Sequence, residues 1–511
     1  MPVDHEILPR ASAARRVGTA HGKARELATP SRHGPLAVWR TLGAGDRAVV
    51  AAGAVFGTIL LALTTVTVRA GETPTHPKLQ EFARNARLFS RLVPHVAELG
   101  VLTYAIVACA CVLALWLVYL RLIWRVHGLQ IDHRLVLAGA VIFGVVALTV
   151  PPVFSTDIFS YSIFGRLAGV YDRNPYLTTA ALGAPGDPVV PYLYWQWRHI
   201  PSPYGPLWTL ISEVFTLGRH ATPLELAIRF KVLALAAVLL DGWLIYVLVR
   251  RRWPEHAGWA YLAFAWNPMV LVEGVVTGHN DALILTVVLV SAYLLLQARP
   301  YLAFAGLVVS GLVKYSTLPL LAVIGPRLLM RASPSQWAGI VVRLGAIAVA
   351  LAVGAFAPYW GGMAVLMSTL DEPGRGVNNP VMVVGRWLIE TVSGGYVRLG
   401  VPATVAISVA AFGVWQAWML WRARGRKPIR PCTTPEIEML WRARGRKTWA
   451  ISDELALWAT SLAVFLLLWP RIHTWYFVVP LGLALAAGPV YRRVYWGILL
   501  VSLLSYASYG L

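Results

Sequence analysis

Apolar runs of membrane-crossing length recur from Val49 almost to the last residue, each closed by a short basic or Gly/Pro-rich break. In hydrocarbon every backbone N–H and C=O must find its partner inside the protein, so a chain made of such runs folds as helices. Hydrophobic residues make up 57% and charged residues 14% of 511, and the mean hydropathy is +0.61. A soluble domain of this size needs far more polar surface. The formal net charge of +21 would suggest nucleic acid in a soluble protein. Here Lys and Arg gather in the breaks between apolar runs, as cytoplasmic loops require, so nucleic-acid binding is set aside. The three cysteines offer no disulfide framework: Cys109 and Cys111 share one apolar run and Cys432 lies in a basic loop. The first apolar run starts too late for a secretory signal. Residues 1–47, polar and basic, read as a disordered cytoplasmic tail.

Topology follows the cations. With the tail inside, a span near 48–68 exits and the linker 70–95 is external. A span near 97–120 then returns to Arg121, Arg125 and Arg134. The run from Leu135 to Val153 exits again, and residues 154–205 follow as a long external loop rich in Pro, Tyr and Trp. Thr222-Pro223-Leu224-Glu225 predicts a capping box opening a helix that ends at the inside marker Arg250-Arg251-Arg252. Further spans are expected near 257–271, 282–297, 301–313, 315–329, 337–357, 401–421, 450–469, 476–488 and 494–510. The segment 206–218 is short enough to be a half-helix. The expected fold is an all-α polytopic membrane protein of about 13 spans with the C-terminus outside. Its parts are the tail, two N-terminal helices over 48–134, a membrane core over 135–400, and C-terminal helices over 401–511 with a basic loop at 422–448. That loop repeats MLWRARGRK, at Met419–Lys427 and Met439–Lys447. It reads as a loop expansion rather than an anionic-lipid patch.

Polar residues interrupt the apolar pattern at a few places, all expected on the outer side. Pro151 and Pro152 break the third run, because proline lacks an N–H and clashes with the preceding turn. Ser155 is then a candidate N-cap, and Asp157 falls in the first turn, where the helix dipole favours an anion, with Tyr161 on the same face. An ionisable residue among aromatics at a membrane surface is a functional candidate. WNPMVLVEGVVTGHNDALIL contributes Asn267, Glu273, His279, Asn280 and Asp281. Asn280 or Asp281 would serve equally as helix caps, but a cap does not require His279, and Glu273 in an apolar run asks for a partner or a wet cavity. GLVKYSTLPLL places Lys314 between two helices, where snorkelling is the plainer reading. WPRIHTWYFVVP adds Arg471, His473, Trp475 and Tyr476, of which the last two alone would be interfacial belt residues. Residues 371–386 add Asn378, Asn379 and Arg386. The histidines have no paired ligand spacing, so no metal or other cofactor is identified.

In order along the chain, DIFSYSIFGRL, NPY, SPYGPLW, NPMVLVEGVVTGHNDAL and VKYSTLPLL resemble the actinobacterial polyprenol-phosphate-mannose-dependent alpha-1,6-mannosyltransferases of the GT-C superfamily, over roughly residues 135–485. The resemblance implies a lipid-phosphate sugar donor, an extracytoplasmic glycan or glycolipid acceptor and alpha-1,6 transfer with inversion. It also implies an acid on the first extracytoplasmic loop that serves the transfer, which Asp157 matches by motif position. Two spans precede this loop, where simpler members of the superfamily have one. A departing phosphate needs fixed cations; Lys314 and Arg471 are the first candidates, with Arg166 and Arg386 behind them. The attacking hydroxyl must lose a proton to a carboxylate or imidazole; Asp157 is the expected base, with His279 or His473 in reserve. Tyr161, Tyr204, Glu273, Asn280, Asp281, His473, Trp475 and Tyr476 are expected around sugar and acceptor. Another lipid-linked sugar, glucose or arabinose, is the rival within the class. A lipid-linked sugar transporter or flippase is the rival outside it, although transporters show internal repeats and midplane charges.

Overall fold

The computed structural model describes residues 42–68, 101–152, 155–218, 220–370, 377–424 and 451–506. The linker 70–95, Arg375 and the second copy of the repeated nonapeptide fall outside them. The described residues form helices and connecting turns, with no strand. They form an all-α polytopic membrane protein.

The helices run α1 Ala44–Val68, α2 Val101–Arg125, α3 His133–Thr149, α4 Asp157–Gly169, α5 Pro206–Phe215, α6 Pro223–Arg250 and α7 Pro254–Ala265. There follow α8 Asp281–Leu296, α9 Pro300–Val313, α10 Leu321–Arg331, α11 Trp337–Phe356, α12 Met363–Leu370 and α13 Pro380–Val392. The chain ends with α14 Val401–Arg424, α15 Ile451–Leu468, α16 Val478–Ala486 and α17 Arg492–Leu504. Among the described residues six helices are long and apolar enough to cross a bilayer, or seven if α7 and the π-helical turn Val270–Val276, bent by 54°, make one span. The expected count of 13 is therefore not met by spanning helices alone. Several apolar runs are shorter helices, α3, α8 and α9 among them. Broken and short helices are tolerated in a membrane where protein or a wet cavity satisfies the freed backbone.

The core forms around α6, which packs against α7 and α8, while α8 pairs with α9, α15 with α16, and α1 with α2. At its start Thr222 and Glu225 close the expected capping box, with Glu225 N–H on Thr222 Oγ1 at 3.2 Å and Thr222 N–H on Glu225 Oε2 at 2.8 Å. Asn267 does not join an outer polar cluster. It lies at the bend after α7, where it bonds Tyr119 of α2 at 3.2 Å and its own loop at Met269 N–H. The Asn267-Pro268 pair interrupts the helix there, and the side-chain amide takes over part of the lost ladder.

Two ends of the bundle differ in chemistry. At one, Glu454 near the start of α15 holds Arg327 and Arg331 of α10, and Tyr491 bonds Asp453. Arg299, between α8 and α9, lies at the same ends of those helices. At the other end lie the starts of α4 and α8, the C-terminus of α9 and the turn between α15 and α16. The candidate site is built there.

Candidate active site

Three chain breaks deliver the site. The first is the end of α3, where Pro151 and Pro152 prevent continuation. Its last carbonyls would be orphaned in an apolar setting. They are taken by buried Lys231 of α6, whose Nζ donates to Ala147 O at 3.4 Å, Leu148 O at 3.3 Å and also to Val150 O. The ammonium complements the negative helix end as well as satisfying it. Nothing in the apolar pattern of 223–250 singles out Lys231 for this work. Beyond the break, α4 starts with Asp157, whose N–H is donated to Ser155 Oγ at 3.2 Å. Ser155 thus supports the helix start, although Thr156 holds the capping position.

The second break is Thr277–Asn280. Gly278 adopts φ +71, a left-handed conformation that favours glycine, and an added Cβ would meet Ile158 of α4 at 2.7 Å. This turn seats His279 against α4. Asn280 and Asp281 are not spent on capping: Asn280 makes no side-chain cap bond, and Asp281 Oδ2 accepts from Lys314 Nζ at 2.7 Å. The third break, between α15 and α16, is stapled by α13. The Asn378 and Asn379 N–H groups donate to Pro470 O at 3.1 and 3.0 Å. Asn378 Oδ1 accepts Ile472 N–H at 2.8 Å, and Asn379 Nδ2 donates to Trp469 O at 2.7 Å. These asparagines fix the turn that carries Arg471, His473, Trp475 and Tyr476.

The three breaks converge. His279 Nδ1 lies 3.6 Å from Asp157 Oδ2 and 3.5 Å from the Tyr161 hydroxyl. Its Nε2 lies 3.8 Å from Glu273 Oε2. The imidazole stacks on Trp475 at 3.8 Å between centroids and 14° between planes, and Trp475 stacks on His473 at 4.4 Å and 6°. The result is a His–Trp–His sandwich joining the second break to the third. Such offset rings fix orientation as well as burying area. Lys314 Nζ sits over the Tyr476 ring, 4.3 Å from its centroid. Tyr204 meets Tyr161 edge-on at 4.9 Å. Gly205, next to it, is required by close approach, since a Cβ there would fall 2.0 Å from Leu312 O at the end of α9.

Burial grades the charges. Glu273 and His279 side chains are wholly buried, whereas Asp157 keeps 16% and Lys314 13% of their exposure. Burial pushes the Asp157 carboxyl above the usual carboxylate range, and Lys314 and Ser155 oppose that shift. Burial, then Lys314 and His473, holds the His279 imidazole well below its ordinary range, so it is neutral. Burial, then Arg471 and Lys314, pushes His473 down to about 3. The site thus presents a carboxylate and an ammonium toward open space, backed by a neutral imidazole.

Other expected site residues are placed differently. Arg166 is held inside the protein by Asp187, Nε to Oδ2 at 2.6 Å with both side chains buried, and donates to Gly218 O at 3.0 Å. Its role there is to staple the loop after α4. Asp187, its partner, gave no signal in the sequence pattern. Arg386 lies on α13, and no described contact ties it to the cluster. Glu273 sits behind His279 rather than at an open surface, and Tyr506 of the C-terminal segment faces it. Among the described residues no three His, Cys, Asp or Glu side chains group as a metal site.

Fold and site define a polytopic membrane protein whose helix breaks assemble a buried acid–imidazole–ammonium cluster. Residues 49–330 match the model of the alpha-(1->6)-mannopyranosyltransferase family, N-terminal domain, and the chain belongs to that family. A probable alpha-(1->6)-mannopyranosyltransferase of Mycolicibacterium smegmatis is 31% identical over 173 residues, 32% of this chain and 28% of that protein. Alpha-(1->6)-mannopyranosyltransferases A and B of Corynebacterium glutamicum are 29% and 28% identical over 151 and 182 residues, 29% and 32% of this chain. The matched stretch spans 29% of the length of each of these two relatives. No solved structure matches the chain.

Proposed function

We propose that the protein transfers mannose from a polyprenyl-phosphate-mannose donor to an extracytoplasmic glycan or glycolipid, forming an alpha-1,6 linkage with inversion at the sugar carbon. The observation that carries this reading is the pairing of a partly open carboxylate, Asp157, with a partly open ammonium, Lys314, on one side of a buried cluster. In the proposed step the acceptor oxygen bonds the sugar C1 as the C1–O bond to phosphate breaks, and the electron pair leaves with the lipid phosphate. Asp157 takes the acceptor proton, which asks for an ionised carboxylate within hydrogen-bond reach. Lys314 donates to the leaving phosphate, where charge grows in the transition state. One of its three N–H groups serves Asp281, and the others are available for ligand. Arg471, on the turn bearing His473, is the second phosphate donor. The Tyr161, Tyr204, Tyr476 and Trp475 rings line the sugar and acceptor side.

The basic helix ends stand opposite the site along α8, α9 and α15, which supports an extracytoplasmic site under the positive-inside rule. The charged side chains of the site gather at one end of α8 and α9, which favours transfer over transport. The test is mass spectrometry of cell-envelope lipoglycans with and without an intact gene, joined to transfer by the purified protein. Loss of alpha-1,6-mannose in the cell and transfer in vitro are expected; unchanged glycans with no transfer would overturn the reading.

A further inference from the structure

Resting on that reading, we infer that Asp157 shares its proton with His279, and that Glu273 is the positioning residue that makes His279 able to take it. The three side chains form a line from open space inward: Asp157 Oδ2, 3.6 Å, His279 Nδ1; His279 Nε2, 3.8 Å, Glu273 Oε2. Only the first member has any exposure, and the second and third are sealed. The wholly buried imidazole is stacked on Trp475, which fixes the plane of its ring. With a carboxylate on the Nε2 side, Nε2 carries the hydrogen and Nδ1 presents its lone pair. The Tyr161 hydroxyl lies 3.5 Å from the same nitrogen. A bare Nδ1 beside a carboxyl group is a second seat for whatever proton that group acquires.

The proton balance closes. The acceptor hydroxyl gives its proton to Asp157 as its oxygen bonds the sugar, Asp157 passes it to Nδ1, and the imidazolium stands between the carboxylates of Asp157 and Glu273. The proton returns through Asp157 to the departing lipid phosphate, restoring the resting state. The distances at rest exceed hydrogen-bond length, as is common before substrate tightens a site. Other groups acting on His279 are Lys314 and His473, both of which oppose its protonation, and Tyr161; Tyr506 acts on Glu273. Glu273 is the anion that offsets the opposing ammonium of Lys314. The acceptor does not touch it, so its role is exerted through His279.

The experiment uses the full-length protein in nanodiscs, with polyprenyl-phosphate mannose as donor and a mannoside as acceptor, and follows kcat and kcat/KM across pH. Wild-type protein comes first: no transfer would sink the transferase reading itself and this inference with it. If wild type is active, Glu273→Gln is expected to lower kcat by at least about tenfold with donor KM unchanged. It should also move the acid limb of the profile to lower pH, because the proton seat loses its counter-charge. A merely structural residue would lower the amplitude without moving the limb. His279→Gln should act alike, and the double variant should be no worse than His279→Gln alone. A folded Glu273→Gln protein with wild-type turnover, an unmoved limb or additive losses overturns the inference. Should Glu273→Gln fail to accumulate, the proton inventory of wild type in mixed light and heavy water decides. A bowed curve, from two protons in flight, is expected, and a straight line overturns it.

Discussion

Asp157 carries the largest expected single-residue effect. Asp157→Asn keeps the shape and the backbone hydrogen bond to Ser155 but cannot receive a proton. General-base catalysis contributes about a hundred- to ten-thousandfold, so turnover should fall by at least about a hundredfold while expression and donor binding persist. A residual rate above about a tenth of wild type would reduce Asp157 to a helix-start residue. Its titration gives a second prediction with a definite sign. Burial raises the Asp157 carboxyl and Lys314 lowers it; transfer needs the ionised form, so activity falls as pH drops through that raised value. Lys314→Gln removes the lowering charge, so the acid limb of kcat/KM should move to higher pH. The same change should raise donor KM and lower kcat at the optimum, since Lys314 meets phosphate in ground and transition states. A limb that stays put would mean that Lys314 and Asp157 do not share the site. At this scale the sequence was informative where a polar residue had no structural excuse. His279 was not needed as a cap, and Glu273 had no business in an apolar run. It was uninformative for Lys231, whose three carbonyl acceptors lie more than eighty residues away at the end of α3.

Elements were legible in kind and less so in extent. The capping box at Thr222 and the break at Lys314 appear as read, because each rests on local chemistry: a reciprocal cap and a charge in an apolar run. The run before Pro151 breaks at the prolines, but as α3 it is shorter than the span expected there. The number of spanning helices was not legible, since a hydropathy window cannot tell a crossing helix from a short one buried on all sides. Helices α8 and α9 are apolar like the spans, yet both are shorter, and each has one end at the site. Arg166 is the clearest difference. Read as a phosphate-binding cation, it is instead paired with Asp187 across the loop that follows α4. Removing one partner of a buried pair leaves an uncompensated charge, at a cost of about 3–5 kcal/mol. Asp187→Ala should therefore lower the thermal unfolding midpoint sharply in detergent, while donor KM in the surviving folded fraction stays at the wild-type value. Replacing both partners, Arg166→Met with Asp187→Leu, should recover most of the stability. A raised donor KM in Arg166→Met at full stability would restore Arg166 to the donor site.

For the whole molecule, the positions of site and cations make a claim about sidedness. Helices α8, α9 and α15 each run between the cluster of Asp157, His279 and Lys314 and an end marked by Arg299, Arg327 or Arg331. Cytoplasmic loops collect such cations, and a lipid-phosphate sugar is used on the face opposite them in the proposed reaction. Helix directions inside the bundle are fixed by packing, so one loop's sidedness determines the others'. Two exposed positions report it without touching the site: Leu182, 81% exposed in the loop after α4, and Gln297, exposed just after α8. In a background with Cys109, Cys111 and Cys432 replaced, Leu182→Cys should react with a membrane-impermeant maleimide in intact cells. Gln297→Cys should react only after the membrane is opened. Because α8 joins the two ends directly, labelling of both from one side would contradict the bundle as well as the loop assignment. Labelling with the sides exchanged would keep the helices and the cluster intact but put Asp157 in the cytoplasm. The acceptor would then be a cytoplasmic glycan or glycolipid, and the extracytoplasmic reaction proposed here would fall while the acid–imidazole–ammonium chemistry stood.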